Sequence, residues 1–146
     1  MPTDTVQTWA FPAVFIEHEP GDFGVSFPDV PEALTGARTA AEARVLAADA
    51  LEEAVLGRLA HGDPIPAPRA AVQGEELVVL DPVTAARAAL AQAMAAEHVT
   101  NTALAKRLGK TEGAVRRLTN GVAGVKLDTV LLALAEVGRR GAFALV

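Results

Sequence analysis

Cysteine and tyrosine are both missing from this chain of 146 residues, and one tryptophan with five phenylalanines makes up its whole aromatic content. Without thiols there is no disulfide framework and no ordinary zinc-finger ligand set, and three scattered histidines do not replace one. No metal and no cofactor is expected. No uninterrupted apolar run approaches the roughly 18 residues of a membrane span. The chain opens with Asp4 in its first residues rather than with a basic stretch followed by an apolar one, so a cytoplasmic protein is expected. What is present is a hydrophobic content of 51%, too high for a disordered chain and sufficient for a buried core.

Lysine is also absent from residues 1–81, where four arginines face fourteen acids for a net charge of −10. Residues 82–146 carry nine bases and four acids, a net charge of +5. The overall charge of −5 therefore hides two halves of opposite sign. A basic half gathers where polyanions bind, whereas an acidic half repels DNA and suits a basic protein partner.

Residues 11–16 are apolar and rich in β-branched or aromatic types, and Glu19-Pro20-Gly21-Asp22 supplies turn chemistry before Phe23-Gly24-Val25-Ser26-Phe27. This pattern predicts a β-hairpin whose second strand buries Phe23, Val25 and Phe27 on one face. Residues 33–35 offer a short third strand. Thr39-Ala40-Ala41-Glu42 is a capping box, followed by apolar residues at three- and four-residue steps from Leu46 to Leu59, which predicts a helix. Pro64, Pro66 and Pro68 forbid its continuation, and residues 76–80 read as a last strand. The first half, residues 1–81, is thus a small β-β-β-α-β layer of the α+β class.

Asp81-Pro82 is a helix start signal, with Asp81 as cap and Pro82 at the first helical position. Residues 83–97, 101–108, 112–119 and 127–139 are expected as helices and residues 142–146 as a final short strand, making 82–146 a second domain. Within 100–121, Ala105 is small where two short helices would cross, Gly109 permits a tight turn and Thr111 caps the second helix. Leu104, Leu108, Val115 and Leu118 are expected inside. Lys106, Arg107, Lys110, Arg116, Arg117 and Asn120 are left outside as donors for phosphates and base edges. This stretch resembles the helix-turn-helix of phage-repressor-type proteins over about twenty residues. The resemblance implies that Glu112, Gly113 and Arg117 face base edges and that Asn101, Lys106, Arg116 and Asn120 face phosphates, with Lys110 close by. Gly113 departs from the polar residue usual there, which shifts base reading toward Arg117, whose fork suits guanine. One such motif reads few bases, so a homodimer is expected on operator DNA, built on Leu127, Val130, Leu131, Leu134 and Val137 with Phe143 and Leu145.

A second resemblance lies in Phe11-Pro12-Ala13-Val14-Phe15, Gly24-Val25-Ser26-Phe27-Pro28-Asp29-Val30-Pro31, residues 35–43 and Gly62-Asp63-Pro64-Ile65-Pro66-Ala67-Pro68. These segments are similar to the HicB antitoxin family, including its variants that carry a helix-turn-helix. That resemblance implies a partial RNase H-like fold, a small basic HicA-like RNA-cleaving toxin as partner, and repression of the shared operon through double-stranded operator DNA. Glu32-Ala33 stands where family members commonly carry Gly-Cys. A nuclease reading fails on placement, because residues 11–16 hold no acid and Asp22 and Asp29 fall in expected turns. Glu17-His18-Glu19 alternates across a strand and so makes no metal site. A transcription regulator that senses a small ligand through its N-terminal half is the alternative to the antitoxin-repressor.

Overall fold

The computed structural model describes residues 6–146. Its elements are β1 (Ala10–Glu19), β2 (Asp22–Ser26), β3 (Leu34–Ala37), α1 (Ala40–His61), β4 (Glu76–Val79), α2 (Pro82–Ala96), α3 (Asn101–Leu108), α4 (Glu112–Thr119) and α5 (Leu127–Glu136). The protein is α+β, in the β-β-β-α-β order followed by helices. Two units divide it: one runs to Ala54 and resumes over Pro66–Asp81, and the other comprises Val55–Ile65 and Pro82–Val146. Helix α1 contributes its early turns to the first unit and its last turns to the second.

In the first unit the sheet order is β3-β2-β1-β4, and all its pairings are antiparallel. Pro20 and Gly21 turn β1 into β2, Gly21 taking a φ of 78° that a side chain would resist. The register sets Phe15 opposite Val25, Val25 opposite Thr35, and Phe11 opposite Val78, so these residues share one face. Phe11, Val25, Phe27, Val78 and Leu80 are buried, each large side chain contributing about 1.5–3 kcal/mol by leaving water. Thr39 starts α1 as expected, accepting the Glu42 amide on its hydroxyl at 3.1 Å. Ala43, Ala47 and Leu51, four residues apart, are fully buried on one stripe of the helix, and the two alanines permit close approach. Arg44 reaches across, its guanidinium 5.6 Å from the Phe15 ring centre and bonded to Glu76 at 2.9 and 3.2 Å.

Gly62, at φ 69°, ends α1: its N–H donates to Leu59 O at 3.2 Å and that of Asp63 to Arg58 O at 2.9 Å. The proline-rich return to β4 is tied down by Arg69. Its guanidinium bonds Asp29 at 2.8 and 3.2 Å and Glu75 at 2.8 and 2.9 Å. Asp29, an acid that a nuclease reading would need, is thereby engaged in holding a loop. Glu75 also accepts the Val72 N–H at 2.9 Å. Arg69 first, and then this amide, hold the Glu75 carboxyl down from an ordinary 4.5 to about 2. A folded-state value below the unfolded one contributes stability that is present above pH 4.5 and lost as pH falls toward about 2. Glu75→Gln should therefore flatten the acid limb of the stability curve in that window. Urea titrations across the pH range check this, and an unaltered limb would dismiss the pair as a source of acid sensitivity.

The second unit has a helical core of Leu90, Met94, Leu104, Val115, Leu118, Val130 and Leu134, all buried. Helix α2 is shifted by one residue from the expected 83–97, and the C-terminal part differs more. Helix α5 stops at Glu136 rather than at residue 139, because Gly138 at φ 78° caps it, with bonds from Gly138 N to Ala135 O and from Arg139 N to Leu134 O at 3.1 and 2.9 Å. Residues 142–146, expected as a strand, have no regular structure. Among the described residues strand pairing is confined to β1–β4, and a strand without a ladder partner leaves its amides and carbonyls unpaired.

Candidate nucleic-acid interface

Helices α3 and α4 begin alike. Thr100 and Thr111 are extended, and each accepts the amide three residues on, Ala103 and Ala114, at 3.1 Å. Between the helices Gly109 adopts φ 65°, and bonds from Gly109 N to Lys106 O and from Lys110 N to Ala105 O, at 3.3 and 3.0 Å, close the end of α3. Two turns of helix, a three-residue bend and two more turns result. Leu104, Ala105, Val115 and Leu118 are buried and Leu108 partly so, which holds one side of the pair against the core.

The opposite side carries the cations. Lys106, Arg107, Lys110, Glu112, Gly113, Arg116 and Arg117 are exposed, and Asn101 and Asn120 are half-buried at the helix ends. These residues differ in freedom. Arg116 is ion-paired with Glu112 one turn earlier on α4. Arg107 donates to the Glu136 carbonyl at 3.2 Å, and the Asn120 side-chain oxygen accepts the Val122 N–H at 3.2 Å. Lys126, absent from the sequence-derived set, borders with Arg117 a shallow depression of about 230 Å³ floored by Ala114, Leu118 and Val125. Its only sequence signal is one charge in a glycine-rich loop.

Gly113 has open space where a Cβ would stand. A glycine in the middle of a helix destabilises by about 0.5–1 kcal/mol relative to alanine, and Gly113 is in the first turn of α4, so Gly113→Ala should raise stability by up to about 0.5 kcal/mol. Thermal unfolding checks it, and a loss would mean that the bare backbone is needed where no neighbour now touches it.

Arg87 of α2 also belongs to this region, although it escapes a reading confined to the two short helices. It is 4% exposed and donates from Nε to Leu118 O at 2.9 Å and from Nη2 to Arg117 O at 3.1 Å. Burial pushes its pKa down from the usual arginine value. Carbonyls of a helix's last turn lack partners within the helix, and the dipole there is negative, so this cation has a natural seat.

The apolar stripe expected at a dimer interface divides in two. Val130, Leu134 and Val137 are buried within the core of a single chain, because α5 must first cover its own unit. Leu127 is half-buried, whereas Leu131 and Leu132 are exposed on α5, as are Phe143 and Leu145 on the terminal segment. Gly141 lies so close to Leu131 that a Cβ would stand 2.5 Å from Cδ2.

Among the described residues no helix is long and apolar enough to cross a membrane. Residues 10–89, which span the sheet, α1 and half of α2, match the family described as HicB-like antitoxin of bacterial toxin-antitoxin systems. Similarity to whole proteins reaches further along the chain. Antitoxin HicB 2 of Photorhabdus laumondii is 34% identical over 129 residues, 88% of this chain and 91% of that protein. Antitoxin HicB of Escherichia coli K12 is 31% identical over 136 residues, covering 93% and 99% of the two chains. Antitoxin HicB of Pseudomonas fluorescens is 32% identical over 129 residues, 88% of each. A sheet backed by one long capped helix, matched as a family domain and continued into the helical unit by these relatives, makes the chain a member of the HicB-like antitoxin family.

Proposed function

We propose that this antitoxin neutralises a HicA-like RNA-cleaving toxin through its acidic sheet unit and represses its own operon through α3 and α4, acting in the cytoplasm as a homodimer. The observation that carries the DNA-binding part is the pairing of two threonine-capped short helices around Gly109 with an outer side bearing Lys106, Lys110, Arg116 and Arg117. Arg117 reads a base edge; Lys106 and Lys110 meet phosphates, as do Asn101, Arg116 and Asn120. Glu112 shares its carboxylate with Arg116 and limits where that guanidinium reaches. The protein acts as a regulator rather than as an enzyme. Support for the toxin partner comes from the net charge of −10 over residues 1–81, which suits a basic RNA-binding protein and speeds encounter more than it tightens the complex. Leu131, Leu132, Phe143 and Leu145 are exposed apolar residues available to a second copy.

The test is binding to a duplex from upstream of the protein's own gene and to a scrambled duplex, across a salt series. Arg117→Ala should lose about 1–3 kcal/mol on the operator and little on the scrambled duplex. Lys106→Ala should weaken both and lower the salt slope by about one unit. Equal losses on both duplexes for Arg117→Ala would place that residue on the backbone instead. For the partner, the antitoxin is co-expressed with the product of the neighbouring open reading frame, where restored growth is expected; continued toxicity with a folded antitoxin would refute the pairing.

A further inference from the structure

A buried arginine is an expensive choice at position 87. Its neighbours Ala85 and Ala88 on α2 are buried as well, in surroundings where a leucine or methionine would pack without removing a charge from water. Its fork is spent on two consecutive main-chain carbonyls, those of Arg117 and Leu118, at 3.1 and 2.9 Å. These two residues do different things: the Leu118 side chain is buried in the core and the Arg117 side chain is exposed. Successive residues on a helix are about 100° apart, so a small roll of α4 about its axis swings the outer side chain through a wide arc while the inner one slides in a greasy seat. Apolar packing alone resists that roll weakly, because it is non-directional. Two directed hydrogen bonds from a planar fork resist it strongly.

We propose that Arg87 is a positioning residue for sequence recognition: anchored on α2, it sets the rotation of α4 and thereby aims Arg117 at its base. The proposal rests on the reading of α4 as the base-contacting helix. Phosphate contacts by Lys106 and Lys110 sit on long flexible side chains and tolerate a small roll, whereas a bidentate base contact does not. Loss of Arg87 therefore erodes discrimination between sequences before it erodes affinity for DNA in general.

The experiment uses the full chain as wild type, Arg87→Lys, Arg87→Met, Arg117→Ala and the double variant Arg87→Lys/Arg117→Ala. Each is checked for thermal stability and oligomeric state, then titrated on upstream and scrambled duplexes over a salt series. Arg87→Lys keeps the charge and nearly the length but not the fork, so it carries the test even where Arg87→Met does not fold. The expected result is a fall of about tenfold in the ratio of the two affinities for Arg87→Lys, with scrambled-duplex affinity and salt slope nearly unchanged. In the Arg117→Ala background the same substitution should have no further effect on the ratio. A merely structural arginine would instead weaken both duplexes together, in step with the lost stability. Full discrimination in Arg87→Lys beside its loss in Arg117→Ala would overturn the positioning role and leave the base contact standing. Additive losses in the double variant would overturn it too. Full discrimination in Arg117→Ala itself would remove the base contact, and the positioning role with it.

Discussion

Gly121→Ala is expected to destabilise the helical unit by about 3 kcal/mol, although it adds a single methyl group. Two costs coincide there. The residue has φ 82°, a conformation that charges an L side chain about 1–2 kcal/mol. A Cβ would also stand 2.7 Å from Leu56 O, 3.2 Å from the Ala60 Cβ and 3.3 Å from Ala60 N, on the last turns of α1. Backbone atoms in a helix do not yield cheaply, so overpacking adds about 1–3 kcal/mol. Gly124 provides an internal control, for it has the same φ of 82° and no atom within 4 Å. Gly124→Ala should lose only the conformational part. Urea unfolding of both variants with unchanged m-values measures the difference, and equal losses would eliminate the steric component.

The second large effect is expected in the sheet. Phe11 lies in the first half of β1, which pairs with β4, and it is fully buried opposite Val78. Phe11→Ala should cost about 3–5 kcal/mol, as the lost transfer energy is joined by the cavity left in a fully buried site. Ile16→Ala, on the same strand but 48% exposed, should change stability by less than about 1 kcal/mol. Hydrogen exchange at the amides of β1, β2 and β4 reads the local loss directly. Retained protection at those amides would show that Phe11 is not the keystone of this face.

Much of this fold is legible in the sequence because its signals are local. The threonines at 39, 100 and 111 each bond the amide three residues on, and of the alternating Phe23, Val25 and Phe27 the last two are buried, although β2 ends at Ser26 and Phe23 is only half-buried. Non-local choices are not legible in the same way. Arg69 sits in a proline-rich stretch that reads as a linker, and its partners Asp29 and Glu75 lie 40 and 6 residues away. Arg87 interrupts an alanine-rich helix with no neighbour in sequence to account for it; its partners lie 30 and 31 residues on. The stripe on α5 shows the converse error. Apolar spacing reveals that Val130, Leu134 and Val137 are covered, yet it does not say whether the cover is the chain's own core or another copy, and the core claims them first. The terminal segment failed for a related reason, since β-propensity in residues 142–146 is realised only when a partner strand is available.

The open ground in front of Gly113 matters beyond stability. Where α4 reads operator DNA, as proposed above, related repressors in one cell must ignore one another's promoters, and insulation of that kind must be acquired in small steps. On α4 the inner residues Val115 and Leu118 are locked into the core, Arg116 is tethered to Glu112, and the backbone near Arg117 is held from α2. Position 113 is bound by none of these commitments: it is exposed, helical and clear of every neighbour within 4 Å. A serine, arginine or aspartate starts from open space there, each with different hydrogen-bonding chemistry. On that proposed reading the glycine leaves one column of the lock uncut, where a duplicated copy of the gene can diverge in address while keeping its architecture.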